Sequence, residues 1–218
     1  MAAKKTAKLE KALACKVVRH PEEFLKELLD LRNEHPEREK EIDKKIRGTF
    51  ECERTVFVLD MSGFSRTVIK HGIIHYLAMV RRMVNVVLPA IHDNRGELVK
   101  QEADNAFAVF AAPDDAVHAS QDIIRGLQAL NTVLPDEKDI FVSIGIGHGD
   151  ILLIPGVDYF GNELNLASKL GEDIAERGEI LLTGAAQAKI TDQSLNFQKI
   201  SAAISGVTMK YYKLVSRE

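Results

Sequence analysis

The sequence predicts an α+β fold, a split βαβ sheet of ferredoxin-like βαββαβ order with a helical extension at its N-terminus. Three observations carry that expectation. Residues 55–59, Thr-Val-Phe-Val-Leu, form a continuous apolar and partly β-branched run, the pattern of a strand buried on both faces. From that run onward the texture alternates strand, helix, strand, strand, helix, strand, which is the order of the split motif. Before it, the first fifty residues are dense in Lys, Glu and Leu and lack β-branched runs, a composition that favours helix. A length of 218 residues suits one domain of roughly 150–200 residues plus an appendage, divided here as 1–50 and 51–218.

Composition narrows the function classes. The apolar and charged fractions, 45% and 28%, exclude wholesale disorder. A net charge of −3 offers no broad basic surface, so nucleic acid is not an expected partner. Apolar runs stop short of the ~18 residues of a membrane span. The N-terminal stretch is interrupted by Glu10 and Lys16, a poor secretory signal. Cys15 and Cys52 have neither CxxC spacing nor a nearby His, so they read as reduced thiols, and a cytoplasmic location is expected.

The elements follow in order. Pro21 with Glu22 and Glu23 reads as a helix start, because proline suits the first turn and acids favour the positive end of the helix dipole. Phe24, Leu25, Leu28, Leu29 and Leu31 continue it as an apolar stripe. Pro36 restarts a more polar helix through Glu39, Lys40, Asp43 and Lys44, laced with close opposite charges. Residues 1–50 hold 13 Lys/Arg against 10 Asp/Glu, a net +3 that leaves −6 for residues 51–218. The expected job of this extension is to pack on the main domain or a partner, its charged half being otherwise a solvated face, and to modulate dimer formation or receive a signal.

In the main domain the 55–59 strand ends at Asp60-Met61-Ser62-Gly63-Phe64-Ser65. A long helical pattern follows, with Val68, Ile69, Ile73, Leu77, Val80, Val84 and Leu88 among its apolar positions, up to Pro89 and the Asn94-Arg95-Gly96 turn. Residues 97–101 and 106–110 are close enough to form a hairpin. Pro113 and Asp114 open a helix with Val117, Ile123, Ile124 and Leu127 inward. Residues 140–146 and 150–154 read as two strands, 161–171 as a helix, and 179–182 and 211–215 as further strands.

Asp60 stands where a buried strand gives way to a helix. A carboxylate there can hold a divalent cation, while amides around Ser62, Gly63 and Phe64 can accept the phosphates that cation bridges. The plainer reading is a helix cap. Asp104 lies at the tip of the hairpin, where an Asp usually serves turn chemistry only. In a split βαβ sheet, however, the first strand and the hairpin can be neighbours, so both carboxylates would face one pocket, the layout of two-metal phosphoryl chemistry. His71 and His75 are four apart on the long helix but lack an evident third metal ligand. His148 reads as structural, and Glu102 is expected to point to the face away from Asp104.

Taken together these segments resemble the catalytic domains of class III nucleotidyl cyclases. Residues 57–65, Phe-Val-Leu-Asp-Met-Ser-Gly-Phe-Ser, are similar to that family's F-x-D-x-x-G-F-[ST] motif. Lys100-Gln101-Glu102-Ala103-Asp104 with Val109-Phe110 resembles its K-x-x-G-D…V-F hairpin, and Pro113, Ala116, Val117 and Ala119 the helix after it. Asp158, Gly161, Asn165, Ala167, Ser168, Lys169 and Leu170 resemble D-x-x-G-x-x-x-N-x-A-[SA]-R-L. The resemblance runs from about Arg54 to Ile190 and implies a βαββαβ core of the nucleotidyl cyclase type.

It also implies roles. Asp60 and Asp104 would hold two Mg²⁺ or Mn²⁺ ions, with the Met61 carbonyl as a further ligand. Lys100 and Asp158 stand at the purine-reading positions, and a Lys/Asp pair there is the family's adenine-selecting combination, with GTP the less favoured substrate. Asn165 would orient the ribose. The implied activity is cyclisation of ATP to 3′,5′-cyclic AMP and pyrophosphate in a head-to-tail homodimer. Each site would take Asp60 and Asp104 from one chain and Lys100, Asp158, Asn165 and Lys169 from the other. Three positions depart from the pattern: Lys169 replaces an arginine that stabilises the transferred phosphoryl group, Ala103 a glycine, and Ser205 a lysine that reaches the triphosphate. They favour an alternative, a weak or inactive homologue serving as a nucleotide-binding or regulatory module.

Overall fold

A short helix α1 (residues 9–14), α2 (Pro21–Glu34), a 3₁₀ turn (Pro36–Arg38) and α3 (Glu39–Phe50) precede the sheet. The computed structural model describes residues 9–14, 18–135, 138–204 and 207–215; Cys15 and Ser205 lie outside them. Helix α2 starts at Pro21 with Glu22 and Glu23 in its first turn, as the proline and acids predict. Of the predicted stripe, Leu28 and Leu31 are buried and Leu29 is exposed. With Leu9, Ala12, Ile42, Ile46 and Phe50 they form a small core closed by Ile154 of the sheet. Arg32 pairs with Asp43 at 2.6 Å and with Glu39, tying α2 to α3 on the outside.

Strand β1 (Glu51–Met61) begins directly at the end of α3. Then come α4 (Phe64–His71), α5 (Ile73–Asp93), the hairpin β2 (Glu97–Glu102) and β3 (Asn105–Phe110), α6 (Pro113–Asn131) and β4 (Val142–Ile154). The remainder is β5 (Asp158–Phe160), α7 (Asn162–Ser168) running into a π-helical turn (Lys169–Ile174), β6 (Ile180–Thr183), α8 (Gly184–Ala188), β7 (Asn196–Ile204) and β8 (Val207–Val215). The strands lie in the order β2-β3-β1-β4-β6-β8-β7, with β5 on β4. The first four strands and their helices are the expected βαββαβ core, with β1 antiparallel to both β3 and β4.

Several elements differ from expectation. The long helical pattern breaks at Gly72, which takes φ 84° between α4 and α5. Pro89 does not end α5. It lies in the last turn or so, where Ala90 and Ile91 are buried in the core and hold the helix on to Asp93. The face of α5 that packs inward is Tyr76, Met79, Val80, Met83, Val87 and Ile91, while Ile73 and Leu77 are exposed, as is Ile69 of α4. By length and composition α5 is the one described helix apolar enough to cross a membrane; Arg81 and Arg82 interrupt it, and its inward face belongs to the main core. Residues 140–146 and 150–154 are one strand, because Gly147-His148-Gly149 stays paired with Arg54–Val56 of β1. Strand β7 was not predicted; its mixed residues show no clean alternation, and it is ordered by pairing with β8.

The sheet carries a core on each face. Phe57 and Leu59 of β1 join the larger one beneath α5 and α6, and Val56 and Val58 the one beneath α7. On that second face α7 approaches β4 at backbone distance. A Cβ on Gly145 would lie 2.0 Å from the Ala167 carbonyl oxygen and 2.6 Å from the Gly171 nitrogen, and one on Gly147 would lie 2.6 Å from the Glu163 oxygen. Only glycine leaves that gap. Gly145→Ala is therefore expected to destabilise the protein by about 3 kcal/mol or more, since backbone rather than a flexible side chain must move. Gly48→Ala, in a helix with open space around it, should instead stabilise by about 0.5–1 kcal/mol. Urea unfolding of the two variants checks this, and equal midpoints would refute the contact.

Candidate active site

The register of β1 and β3 sets the site. Leu59 pairs with Ala106, so Asp60 stands opposite Asn105, one residue from the hairpin turn that carries Asp104. Alternation turns Asp60 to the α7 face with Val56 and Val58. Both carboxylates are half-buried. Burial first, then the negative charge of Asp104, then that of Glu172, push the Asp60 carboxyl up to about 6. The two acids expected to meet therefore do meet. Tyr76, buried on α5, faces Asp104; burial and that carboxylate raise its phenol well above the ordinary value.

Two further acidic or polar groups were not foreseen. Glu172 sits in the π-helical turn, where burial and Asp173, followed by Glu102 and Asp104, raise its carboxyl against a hydrogen bond with Ser168. Asn105 places a buried Oδ1 beside the pair without a hydrogen-bond partner among the described residues. Nothing in the spacing of either residue announces it, because only the hairpin register and the π turn bring them here.

At the β1–α4 junction Met61 closes the strand with its side chain in the core. The expectation for Ser62 needs correction: its backbone N–H donates to the Phe141 carbonyl at 2.9 Å and extends the sheet rather than facing a phosphate. Gly63 has φ 99°, a left-handed turn suited to glycine, and Phe64 is the first residue of α4. Ala103, the first of the two turn residues in the hairpin, has φ 52°, which an alanine adopts under strain and a glycine freely.

Lys100 and Asp158 also come together. Lys100 Nζ lies 3.1 Å from Asp158 Oδ1, 2.7 Å from Glu102 Oε1, and 4.9 Å from the centroid of the Phe107 ring. Burial alone would lower the Lys100 pKa, but the hydrogen bonds to Glu102 and Asp158 outweigh it and raise the value. Glu102 was expected on the face away from the site. It shares the Lys100 face instead, since residues two apart on a strand point the same way. Asn165 is exposed on α7, and Lys169 opens the π turn with its Nζ 3.8 Å from Asp173. His148 is structural as expected, bonded to Thr55 at 2.9 Å and Glu53 at 3.0 Å. His71 and His75 stack with ring centroids 4.8 Å apart. No group of three or more His, Cys, Asp or Glu among the described residues is arranged to hold a metal by itself. A cleft of about 630 Å³ between α2, α3 and the β4–β5–α7 segment is lined by none of the site residues named above.

The donor set suits a divalent cation. Two carboxylates at neighbouring strand ends leave one carboxyl with a raised pKa, and a neutral oxygen beside them has no hydrogen-bond partner among the described residues. Hard oxygen ligands with unneutralised negative charge are the chemistry that Mg²⁺ or Mn²⁺ accepts.

Comparison with known proteins gives a consistent picture. Residues 50–215 match the adenylate and guanylate cyclase catalytic domain. The crystal structure of an adenylate/guanylate cyclase/hydrolase from Silicibacter pomeroyi is 26% identical, with a TM-score of 0.63 over 77% of this chain and 99% of that one. The adenylyl cyclase CyaB from P. aeruginosa shares the fold at 21% identity, with a TM-score of 0.65 over 77% of this chain and 96% of that one. A curated relative in Rhizobium meliloti (strain 1021), named "Putative adenylate cyclase 3", is 23% identical over 128 residues. That alignment takes in 59% of this chain and 22% of the relative, so the chain spans about a fifth of its length.

The raised Asp60 pKa fixes a pH dependence. A carboxyl that holds its proton more tightly in the folded state weakens the fold as it ionises, so its effect appears as pH rises from about 4 through about 6. Without divalent cations, Asp60→Asn is expected to raise unfolding free energy at pH 7.5 by about 1–2 kcal/mol, allowing for partial solvent screening, with far less gain at pH 4. Urea titrations of both proteins at the two pH values measure this. An equal difference at both would show that Asp60 is not perturbed.

Proposed function

The chain belongs to the family of adenylate and guanylate cyclase catalytic domains, and within it we propose that this protein converts ATP to 3′,5′-cyclic AMP and pyrophosphate. The observation that carries the reading is the meeting of Asp60 and Asp104 at adjacent strand ends. In this reading Asp60 and Asp104, with the Met61 carbonyl, hold two Mg²⁺ or Mn²⁺ ions. Such cations supply neutralising charge to the triphosphate and make the ribose 3′-hydroxyl more acidic. Lys100 donates to an adenine ring nitrogen and Asp158 accepts from the N6 amino group, which matches the donor and acceptor on that base edge. Asn165 orients the ribose so that its 3′-oxygen attacks the α-phosphorus in line with the departing pyrophosphate. The amides of Gly63 and Phe64, at the N-terminus of α4, face phosphate oxygens. Lys169 brings positive charge to the transferred phosphoryl group through one ammonium rather than the forked donors of an arginine. The catalytic unit proposed is a homodimer with each site shared by two chains.

A second reading is favoured by one observation. The Lys169 ammonium lies 3.8 Å from Asp173, a contact that competes with a phosphate for the same charge. On that reading the protein binds nucleotide with little turnover.

An assay with ATP and Mn²⁺ separates the two. Cyclic AMP is expected from the wild type, with a loss of at least about a hundredfold in Asp60→Asn, the scale of removing a group that stabilises transition-state charge. Lys169→Arg is expected to raise kcat, because a planar fork meets phosphate oxygens better than a point charge. Nucleotide binding without cyclic AMP in the wild type would select the second reading.

A further inference from the structure

Lys100 has two carboxylate partners, one of which the proposed base recognition does not use. Its ammonium carries three hydrogens. One points to Asp158 Oδ1 at 3.1 Å and one to Glu102 Oε1 at 2.7 Å, while the Phe107 ring covers the cation at 4.9 Å. Asp158 Oδ1 also accepts the Tyr159 N–H at 2.8 Å, which leaves Oδ2 as the oxygen turned to other uses. The pair thus presents one donor and one acceptor in a fixed order. Adenine offers an acceptor at N1 and a donor at N6, whereas guanine offers a donor at N1 and an acceptor at O6, the reverse order. A fixed ammonium tells these apart; a mobile one can follow either.

The geometry points to Glu102 as a specificity-positioning residue, which pins the Lys100 ammonium over Phe107 so that a single donor meets the purine beside Asp158. The inference rests on the base-reading role proposed above for Lys100 and Asp158. Glu102 is suited to this because its place is set by the pleat of β2 itself, two residues from Lys100. Asp158 comes from a distant segment, so the lysine keeps one local anchor however β5 moves. The Lys100 side chain is 21% exposed and that of Glu102 62% exposed, so the lysine is the shielded member of the pair and the glutamate reaches it from the solvent side. Without the glutamate the flexible four-carbon stem of the lysine regains rotamers, and Asp158 becomes its remaining carboxylate partner in this group.

The test uses the full chain with Mn²⁺. It measures KM and kcat for ATP and GTP and the dissociation constant of a fluorescent ATP analogue, for the wild type, Glu102→Gln and Glu102→Asp. Glu102→Gln is expected to raise KM for ATP and the analogue's dissociation constant about three- to fivefold, the scale of a partly exposed ion pair. It should change kcat less than twofold and narrow the preference for ATP over GTP; Glu102→Asp should recover part of each. Unchanged or lower KM and dissociation constants in Glu102→Gln, with the same nucleotide preference, would overturn the inference while the wild type stays active. A wild type that neither binds nor cyclises nucleotide would remove the parent reading and this inference with it. Glu102 is exposed near a strand end, and an unchanged unfolding midpoint in Glu102→Gln excludes a folding defect.

Discussion

The pairing of β1 with β3 is the constraint on which the rest depends. Side chains alternate along a strand, so a slip of one residue would carry Asp60 to the opposite face and bury Val58 and Leu59 in the wrong cores. The register cannot slip cheaply, because both faces of β1 are packed and Val56 to Leu59 have no exposed surface. Hydrophobic burial in the middle of the strand thus fixes the position of a carboxylate at its end. The polar site inherits its precision from an apolar run that takes no part in the chemistry.

The second support is the absence of side chains. Gly145 and Gly147 of β4 and Gly171 of the π turn let α7 lie on the sheet at backbone distance. That contact seats the helix carrying Asn165 and the turn carrying Lys169 on the sheet, and it brings Glu172 near Asp60 and Asp104. The π turn itself, six residues long, is the kind of irregular helix that recurs at functional positions. The Lys100–Asp158 pair is held differently. Lys100 and Asp158 meet across β2 and β5, two strands that are not hydrogen-bonded neighbours, through side chains alone.

The same arrangement weakens the protein in the absence of ligands. Asp60, Asp104 and Glu172 repel one another, Asn105 has an oxygen without a hydrogen-bond partner among the described residues, and Ala103 adopts a left-handed backbone. These features meet around one hairpin turn; the buried polar residues among the described residues are the hydroxyls of Thr55, Ser120, Ser143 and Thr183, the bonded His148, and Asp115, which pairs with Arg95. Mutually repelling carboxylates at a strand end are the kind of charge that an incoming cation offsets.

Much of this was legible in the residues. The continuous apolar run at 55–59, the proline and acid helix starts at Pro21 and Pro113, and the spacing of the hairpin are local signals, so the βαββαβ core and the Asp60–Asp104 and Lys100–Asp158 pairs could be anticipated from them and from the resemblance they support. What could not be read is whatever depends on distant partners. Gly72 splits a helix whose apolar pattern runs straight through it; Ser62 donates to Phe141 from across a loop; β7 exists because β8 lies beside it; and Glu172 and Asn105 matter only because a π turn and a strand register carry them to Asp60. Sequence by itself determined which segments are buried and which residue types stand at their ends, since burial follows from local composition. The tertiary structure alone decided which ends meet, because that is set by register and by close backbone contact, neither of which leaves a mark in the spacing of residues.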